Sequence, residues 1–415
     1  MQRFRTLSMR WTEGLPRAYW FLWAGTIVNR VGGFVIPFLT LYLTTQRGYS
    51  VGAAALMVSL YGAGSFSANL VGGELTDRLG RRPVLLASLF LAPVVTVALG
   101  LVRSTAWIAV ATVLLGFTND LYRPAVSAAI ADLVPSEHRP RAYGYLYWAI
   151  NIGAAVAPIL AGFLAHSSYL LLFIGDAVTT FAFGLVVLAG VPESRPAKAA
   201  LAAGEPLSAR LRALGREPLL LAFTAMALLL GTVYLQGHVT LPVDMQAHGL
   251  TAAQYGLAIA VNGALIVVLG LPASHASSRW PRFGAIAVSA LLVGLGFGMN
   301  AIASTLALYA LAVAVWTLGE IAFSTVAPAL IADLAPDEYR GLYQGVFGAA
   351  FGLSFFTGPI VGGLVYDRFG ADTLWSACLV AGAVLAAGYL VMGRAASRRL
   401  PPRSGDAAPL GSRSL

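Results

Sequence analysis

The sequence predicts an all-α membrane protein with twelve transmembrane helices, arranged as two six-helix halves related by a pseudo-two-fold axis. Three observations lead there: the balance of apolar and charged residues, a series of apolar stretches of bilayer-spanning length, and an internal repeat of constant spacing. The 415 residues are 58% hydrophobic and only 11% charged, whereas a soluble domain carries about 45–50% apolar and about 25% charged residues. This composition excludes a soluble enzyme, a disordered chain and a fibrous protein. The apolar stretches are continuous rather than alternating, which excludes an outer-membrane barrel. Cys378 stands alone, so there is no internal disulfide and no cysteine metal cluster.

A helix that crosses a bilayer needs about 20 apolar residues. Such stretches run near 19–44, 53–75, 83–102, 106–131, 141–164 and 170–191, and again near 219–246, 253–272, 283–302, 306–332, 341–365 and 372–393. The expected organisation is an N-terminal cytoplasmic segment 1–18, a six-helix bundle 19–191, a cytoplasmic linker 192–217, a second bundle 218–393 and a disordered cytoplasmic tail 394–415. The charged lead Arg3–Arg17 is too polar, and the apolar run after it too long, for a cleaved signal peptide. No soluble domain is expected.

Basic residues orient the spans. With both termini in the cytoplasm, the inner segments hold 22 of the 27 basic residues, and the outer loops hold only Arg47, Arg103 and Arg368. Arg30 and Arg123 remain within the membrane. The net charge of +9 is therefore topological and does not point to a nucleic-acid partner. The expected location is the inner, or cytoplasmic, cell membrane.

The halves are related by a shift of 201 residues. Ala128–Arg139 reads AAIADLVPSEHR and Ala329–Arg340 reads ALIADLAPDEYR, identical at eight of twelve positions. The same shift takes Gly48 to Gly249, Gly62 to Gly263, Pro158 to Pro359 and Gly162 to Gly363. It maps span four onto span ten in the same direction, so the repeat is parallel, about an axis along the membrane normal. Two such halves commonly hold a substrate site at the midplane between them.

Between spans two and three lies Gly72-Gly73-Glu74-Leu75-Thr76-Asp77-Arg78-Leu79-Gly80-Arg81-Arg82-Pro83. Glycine permits a tight turn and close helix approach. Asp77 can accept hydrogen bonds from a neighbouring helix N-terminus, where negative charge is favoured. The segment resembles the loop signature of the major facilitator superfamily, G-x-L-x-D-R-x-G-R-R. That resemblance implies the major facilitator fold, with Asp77 and Arg78 forming an inter-helix latch among Gly73, Gly80 and Arg81. The second copy, near Ser274–Phe283, keeps only Arg279 and Arg282.

Span eleven carries Gly358-Pro359-Ile360-Val361-Gly362-Gly363, and span five carries Gly153 followed by Ala157-Pro158-Ile159-Leu160-Ala161-Gly162. Proline frees a backbone carbonyl and bends a helix, and small residues admit a neighbouring helix. A packing bend accounts for these residues. The pattern also resembles the span-five signature of proton-coupled antiporters in this superfamily, with alanine for two of its glycines there and the fuller copy in span eleven. With Asn29-Arg30-Val31-Gly32-Gly33, Asn119-Asp120-Leu121-Tyr122-Arg123-Pro124 and Leu318-Gly319-Glu320-Ile321, the chain is similar to the twelve-span drug/proton antiporters, in particular the branch of the lactococcal multidrug transporter. The antiporter arginine of span four lies earlier in the helix in that family; here that position is apolar and Arg123 sits lower.

Ionisable residues at membrane depth are costly and mark function. Arg30, Asp120, Arg123 and Glu320 are the candidates for proton coupling and substrate binding. Asp120 and Arg123 share a helix face at i, i+3, and either form a static pair or take part in the site. No basic residue lies within four positions of Glu320, which makes it the sharpest candidate proton carrier or cation site. Asp176, near the outer end of span six, is expected to bond a neighbouring backbone, and Asp244, near the outer surface, to be solvated. His238 has no carboxylate or cysteine at ligand spacing, so no metal site is expected. In the resembled fold, spans one, four, seven and ten line the central cavity. Tyr122, Tyr147, Trp148, Asn151, His238, Trp316 and Phe351 are the candidate lining residues, with Tyr143, Phe347 and Phe355 beside them; Tyr147 and Phe351 are expected to face each other across the axis. Aromatic rings with an acid suit an amphipathic cation.

No Walker lysine motif and no nucleophile triad is present, so neither ATP nor an enzymatic reaction is expected to be involved. These features converge on a proton-coupled exporter of amphipathic or cationic small molecules, working by alternating access as a monomer. Its partners are protons, a small-molecule substrate and the lipid bilayer, and it needs no cofactor beyond the proton gradient. Two alternatives stay open: a proton symporter taking up a sugar or peptide, with Arg30 and Glu320 clamping a zwitterion, and a lipid-translocating or ligand-binding membrane protein.

Overall fold

The computed structural model describes residues 14–194, 217–277, 281–334 and 340–396. The segment before residue 14, the linker from 195 to 216 and the tail after 396 lie outside the described residues, as does the side chain of Asp77.

Eleven helices among the described residues are long and apolar enough to cross a membrane. The twelfth expected span, 106–131, is present as two shorter helices, Thr105–Asp120 and Tyr122–Leu133, separated at Leu121. Pro124 causes the division: it has no N–H to give the Asp120 carbonyl, so the helical ladder fails there. Span one is also divided, into Arg17–Val31 and Val35–Arg47, at Gly32 and Gly33. Span seven is its counterpart in the second half, divided into Pro218–Tyr234, Gln236–Val239 and Leu241–Ala247. The remaining spans are Val51–Leu79, Arg81–Leu101, Arg139–Ser167, Tyr169–Gly190, Ala252–Ser277, Arg282–Gly298, Leu306–Leu334, Arg340–Phe369 and Ala371–Ala396.

The two halves meet along two crossings, span two on span eleven and span five on span eight. Glycine permits both, because the partner backbone occupies the place a Cβ would take. A Cβ on Gly62 would lie 2.4 Å from the Phe355 carbonyl oxygen, and one on Gly263 would lie 2.3 Å from the Ala155 nitrogen. Gly62 and Gly263 are repeat mates, so the duplication builds the same crossing twice.

The crossings are closed toward the side that carries Gly48 and Gly249. There, a Cβ on Gly162 would lie 2.7 Å from Ala253 Cα, and one on Gly256 would lie 2.1 Å from the Pro158 oxygen. The second parts of spans one and seven also pack together on this side, and Tyr255 of span eight lies edge-on to Phe38 at 5.1 Å. Tyr255 donates from its hydroxyl to the carbonyls of Pro37 (3.2 Å) and Gly237 (3.1 Å). Toward the arginine-rich side the same helices diverge. Among the described residues nothing lies within 4 Å of a Cβ on Gly73, Gly144 or Gly348. Among the described residues, the crossings are thus parted on the arginine-rich side and packed on the other.

Candidate functional site

In span one the break at Gly32-Gly33 exposes backbone N–H groups that the helix cannot satisfy. Asp176 of span six meets them: its Oδ2 accepts from the N–H of Phe34 (3.2 Å) and of Val35 (3.1 Å). The carboxylate bonds a neighbouring backbone, and so holds the divided span in place. Asn29 donates to Thr180 at 2.8 Å beside it. Arg30, at the end of the first part of the span, donates to the Tyr122 hydroxyl and lies over its ring, 5.7 Å from the centroid. The Nε of Arg30 is buried without a hydrogen-bond partner among the described residues.

The break in span four gathers a second set. Asp120 is buried, pairs with Arg123 Nε at 2.7 Å and accepts from the Ser65 hydroxyl. Arg30, Asp120 and Arg123 all lie near Tyr61. Arg123 has a side chain 51% exposed, although it sits midway along a membrane segment. It therefore faces the space between the halves while its partner stays covered.

Glu320 stands apart from this set, on span ten. Tyr234 donates to its Oε1 at 2.9 Å and Asn262 to its Oε2 at 2.6 Å. Asn262 also donates to Thr317 at 3.1 Å. Among the described residues no basic side chain pairs with Glu320, so the four candidates fall into two separate groups. Arg30, Asp120 and Arg123 belong to the first half, Glu320 to the second. Tyr147 of span five, 53% exposed, lies near Tyr234.

The other expected lining residues divide. Trp148 is exposed and stacks on Trp23, with ring centroids 6.5 Å apart. Asn151 is buried and bonds its own helix at the Tyr147 carbonyl. Trp316 does not line an open space. It is 1% exposed and stacked on Phe297 at 5.3 Å, with Tyr234 edge-on at 5.3 Å, because large aromatic surface is best removed by packing within the second bundle. Phe351 packs with Phe323 and Phe347 in its own half. His238 lies beside Tyr234, and its Nδ1 is buried without a partner among the described residues. Asp244 corrects another expectation. It is 1% exposed, not solvated, and accepts from Tyr309 (2.7 Å) and Trp375 (3.2 Å), with His248 Nδ1 at 3.9 Å.

The glycine–proline segments lie against the breaks. A Cβ on Gly153 would meet Arg30 Cβ at 2.3 Å, and one on Gly362 would meet the Gln236 side chain at 1.8 Å. Gln236 donates to the Gly358 carbonyl at 3.0 Å, in the turn before Pro359. Pro158 and Pro359 lie inside their helices.

In the loop after span two, Gly80 takes φ +105°, a conformation suited to glycine. Among the described residues Arg78 bonds no other helix; it pairs with Glu74 one turn back at 2.5 Å, and both side chains are exposed. The inter-helix bonds are made by Arg81. Its Nε meets Asp132 at 2.8 Å and Nη1 the Thr76 carbonyl at 3.1 Å. The expected acceptor at a helix N-terminus is supplied by Glu193, which takes the N–H of Arg81 (2.9 Å) and of Arg82 (3.1 Å). The expected role of Asp77 lies outside the described residues.

Sequence reasoning passed over Tyr234, Asn262, Ser65, Asp132 and Glu193. Asp132 was visible inside the repeated ADL segment, and Asn262 as a polar residue in an apolar run. Tyr234 and Ser65 carry no such signal.

Comparison with known proteins places this geometry. The sequence matches the Major Facilitator Superfamily over residues 22–243 and 238–414. It is 28% identical to the uncharacterized MFS-type transporter YttB of Bacillus subtilis (strain 168), over 88% of this chain and 92% of that one. It is 24% identical to the multidrug resistance protein MdtH of Aeromonas salmonicida (strain A449), over 88% of this chain and 92% of that one. Among solved structures, a mutant form of the nucleoside transporter NupG superposes with a TM-score of 0.80 at 14% identity, covering 90% of this chain and 99% of the other.

Proposed function

The chain belongs to the Major Facilitator Superfamily, and we propose that within this transporter family it is a proton-coupled exporter of amphipathic or cationic small molecules. It is a multi-pass protein of the cell membrane and not an enzyme. In this reading the arginine-rich side is cytoplasmic, from the distribution of basic residues, and the transporter works as a monomer.

The observation that carries the reading is Glu320. Its carboxylate sits at mid-span with neutral hydrogen-bond partners, Tyr234 and Asn262. A carboxylate so placed needs either a cation or a proton. With the cytoplasmic side open, the ionised Glu320 receives the positive group of a solute, and the rings of Tyr147 and Tyr234 receive its apolar body. With the other side open, a proton replaces the solute. The neutral carboxyl then returns through the low-dielectric interior at lower cost. The partners suit both states: Asn262 donates to the carboxylate, and its amide oxygen, turned inward, accepts from the protonated acid. Asp120 is already paired with Arg123 and bonded by Ser65, so we assign it to positioning Arg123 and give the exchangeable proton to Glu320.

The uptake alternative requires Arg30 to act with Glu320. Arg30 is instead engaged by Tyr122 within the first half, so no observation favours it.

The test is proton release from the reconstituted protein on addition of lipophilic cations, neutral drugs, sugars and dipeptides, with wild type and Glu320→Gln compared. Release with cations, lost in Glu320→Gln, is the expected result. Full proton-dependent efflux in Glu320→Gln would overturn the assignment, and signals confined to sugars or peptides would replace export with uptake.

A further inference from the structure

On the closed side, one carboxylate crosses from the second half to the first. Asp367, near the end of span eleven, accepts from the Ser50 hydroxyl at 2.8 Å and from the Gly52 N–H at 2.7 Å, both through Oδ2. Ser50 itself accepts from the Ala53 N–H at 3.2 Å and caps span two. The first N–H groups of a helix have no partner inside it, and negative charge is favoured at that end. Asp367 supplies both the acceptor and the charge from the opposite bundle. The approach depends on small residues: a Cβ on Gly52 would lie 2.6 Å from Asp367 Oδ2, and one on Gly363 would lie 2.4 Å from Ala55 Cβ.

We propose that Asp367 is a latch that holds this side shut, and that release of its bonds to Ser50 and Gly52 is a required step in opening the site to the outer face. The two halves must part here when they rock, and no rocking motion keeps a bond that spans them at their far ends. The latch requires that motion alone and does not depend on what is carried.

The latch is not a product of the duplication. The shift of 201 residues takes Ser50 to Thr251 and carries Asp367 back to His166. At that second crossing, span eight caps itself: the Thr251 N–H donates to Gln254 Oε1 at 2.8 Å, and the Gln254 N–H donates to Thr251 Oγ1 at 3.3 Å. Spans five and eight close there by packing, with Gly162 against Ala253 and Gly256 against Pro158. Closure is therefore asymmetric. One crossing is held by shape and the other by shape plus a charged acceptor.

The test measures the distance between spin labels at Ser104 and Ser304, exposed loop residues of the two halves on this side, in the full chain reconstituted in nanodiscs. The short distance should dominate in the wild type. Asp367→Asn should raise the long-distance fraction at least about threefold, and Ser50→Ala about twofold. The double variant should go no further than Asp367→Asn, because both changes break one latch. An unchanged distribution in Asp367→Asn, or additive shifts in the double variant, overturns the proposal. If Asp367→Asn does not fold, Ser50→Ala decides alone, since it leaves the carboxylate in place; no rise in its long-distance fraction also overturns the latch.

Discussion

The backbone carbonyl of Phe355 lies against Gly62, so close that a Cβ on Gly62 would stand 2.4 Å from the oxygen. Pro359 explains why that carbonyl is available. Proline has no N–H, so the oxygen four residues earlier loses its helical donor. The repeat reproduces the arrangement: Pro158 frees the carbonyl of Ala154, and a Cβ on Gly263 would lie 2.6 Å from the carbon of that group. The glycine–proline segments thus bend their helices and set an unpaired carbonyl where the other half crosses at a glycine. A glycine Cα–H is a weak donor to such an oxygen, and no bulkier residue fits.

Gly62→Ala should weaken the closed side. Alanine gains about 1 kcal/mol over glycine in helix propensity, but forced overpacking costs about 1–3 kcal/mol, and here the obstacle is backbone. The expected outcome is a lower thermal unfolding midpoint and a larger separation of the halves on the Ser104 side. Gly263→Ala should do the same at the other crossing. An unchanged midpoint and separation in both would show that the crossings are looser than the contacts indicate.

Much of this scaffold is legible in the chain because it rests on spacing. Apolar length gives the spans, and the constant shift gives two matching bundles. The acid at position 320 stands out because it is alone in an apolar run. Asp176 is also readable, since a carboxylate near a span end bonds the nearest unsatisfied backbone. What is not legible depends on which helix faces share a level. Tyr234 reads as one more aromatic in span seven; that its hydroxyl meets Glu320 follows from how that span packs on span ten. Trp316 reads as cavity lining by position but turns into the bundle. Asp244 reads as solvated because it is near a span end, yet Tyr309 and Trp375 come from distant spans to cover it. The 201-residue shift gives equivalent positions, not equivalent chemistry.

Tyr234→Phe and Asn262→Ala separate donation from charge at the candidate site. Each removes one hydrogen bond to Glu320, and a bond to a charged group contributes about 1.5–3 kcal/mol. Either change should weaken cation binding or shift the pH at which transport is half-maximal, without abolishing exchange. Glu320→Gln should abolish proton release on adding the cation. Transport assays across a pH series check this. Equal loss in all three variants would mean that Tyr234 and Asn262 carry the reaction themselves rather than support the carboxylate.

Asp244→Ala should destabilise the fold without altering substrate selectivity. It leaves the Trp375 N–H without its acceptor and the Tyr309 hydroxyl with only His248 Nδ1 at 3.0 Å, and an unsatisfied buried group costs about 1–3 kcal/mol. Tyr309→Phe removes one of these bonds and should cost less. Thermal unfolding in detergent, with the transport profile measured alongside, reads both effects. A change in which solutes are carried would bring this cluster into the pathway.

Arg81 and Arg78 should differ sharply, in the reverse of the order the loop signature implies. Arg78 is exposed and pairs with Glu74 within one helix; an i, i+4 pair of that kind contributes about 0.3–0.5 kcal/mol. Arg81 is 8% exposed and joins the start of span three to Asp132 of span four and to the end of span two. Asp132 is partly exposed and also accepts from Ser194, so the loss is that of a hydrogen bond between charged groups, about 1.5–3 kcal/mol. Arg81→Ala should therefore unfold the first bundle at a markedly lower temperature or fail to accumulate in the membrane. Arg78→Ala should keep near-wild-type stability. If Arg78→Ala is the more damaging, its partner in the working cycle is not Glu74, and the side chain exchanges that pair for one across the bundles when the halves move.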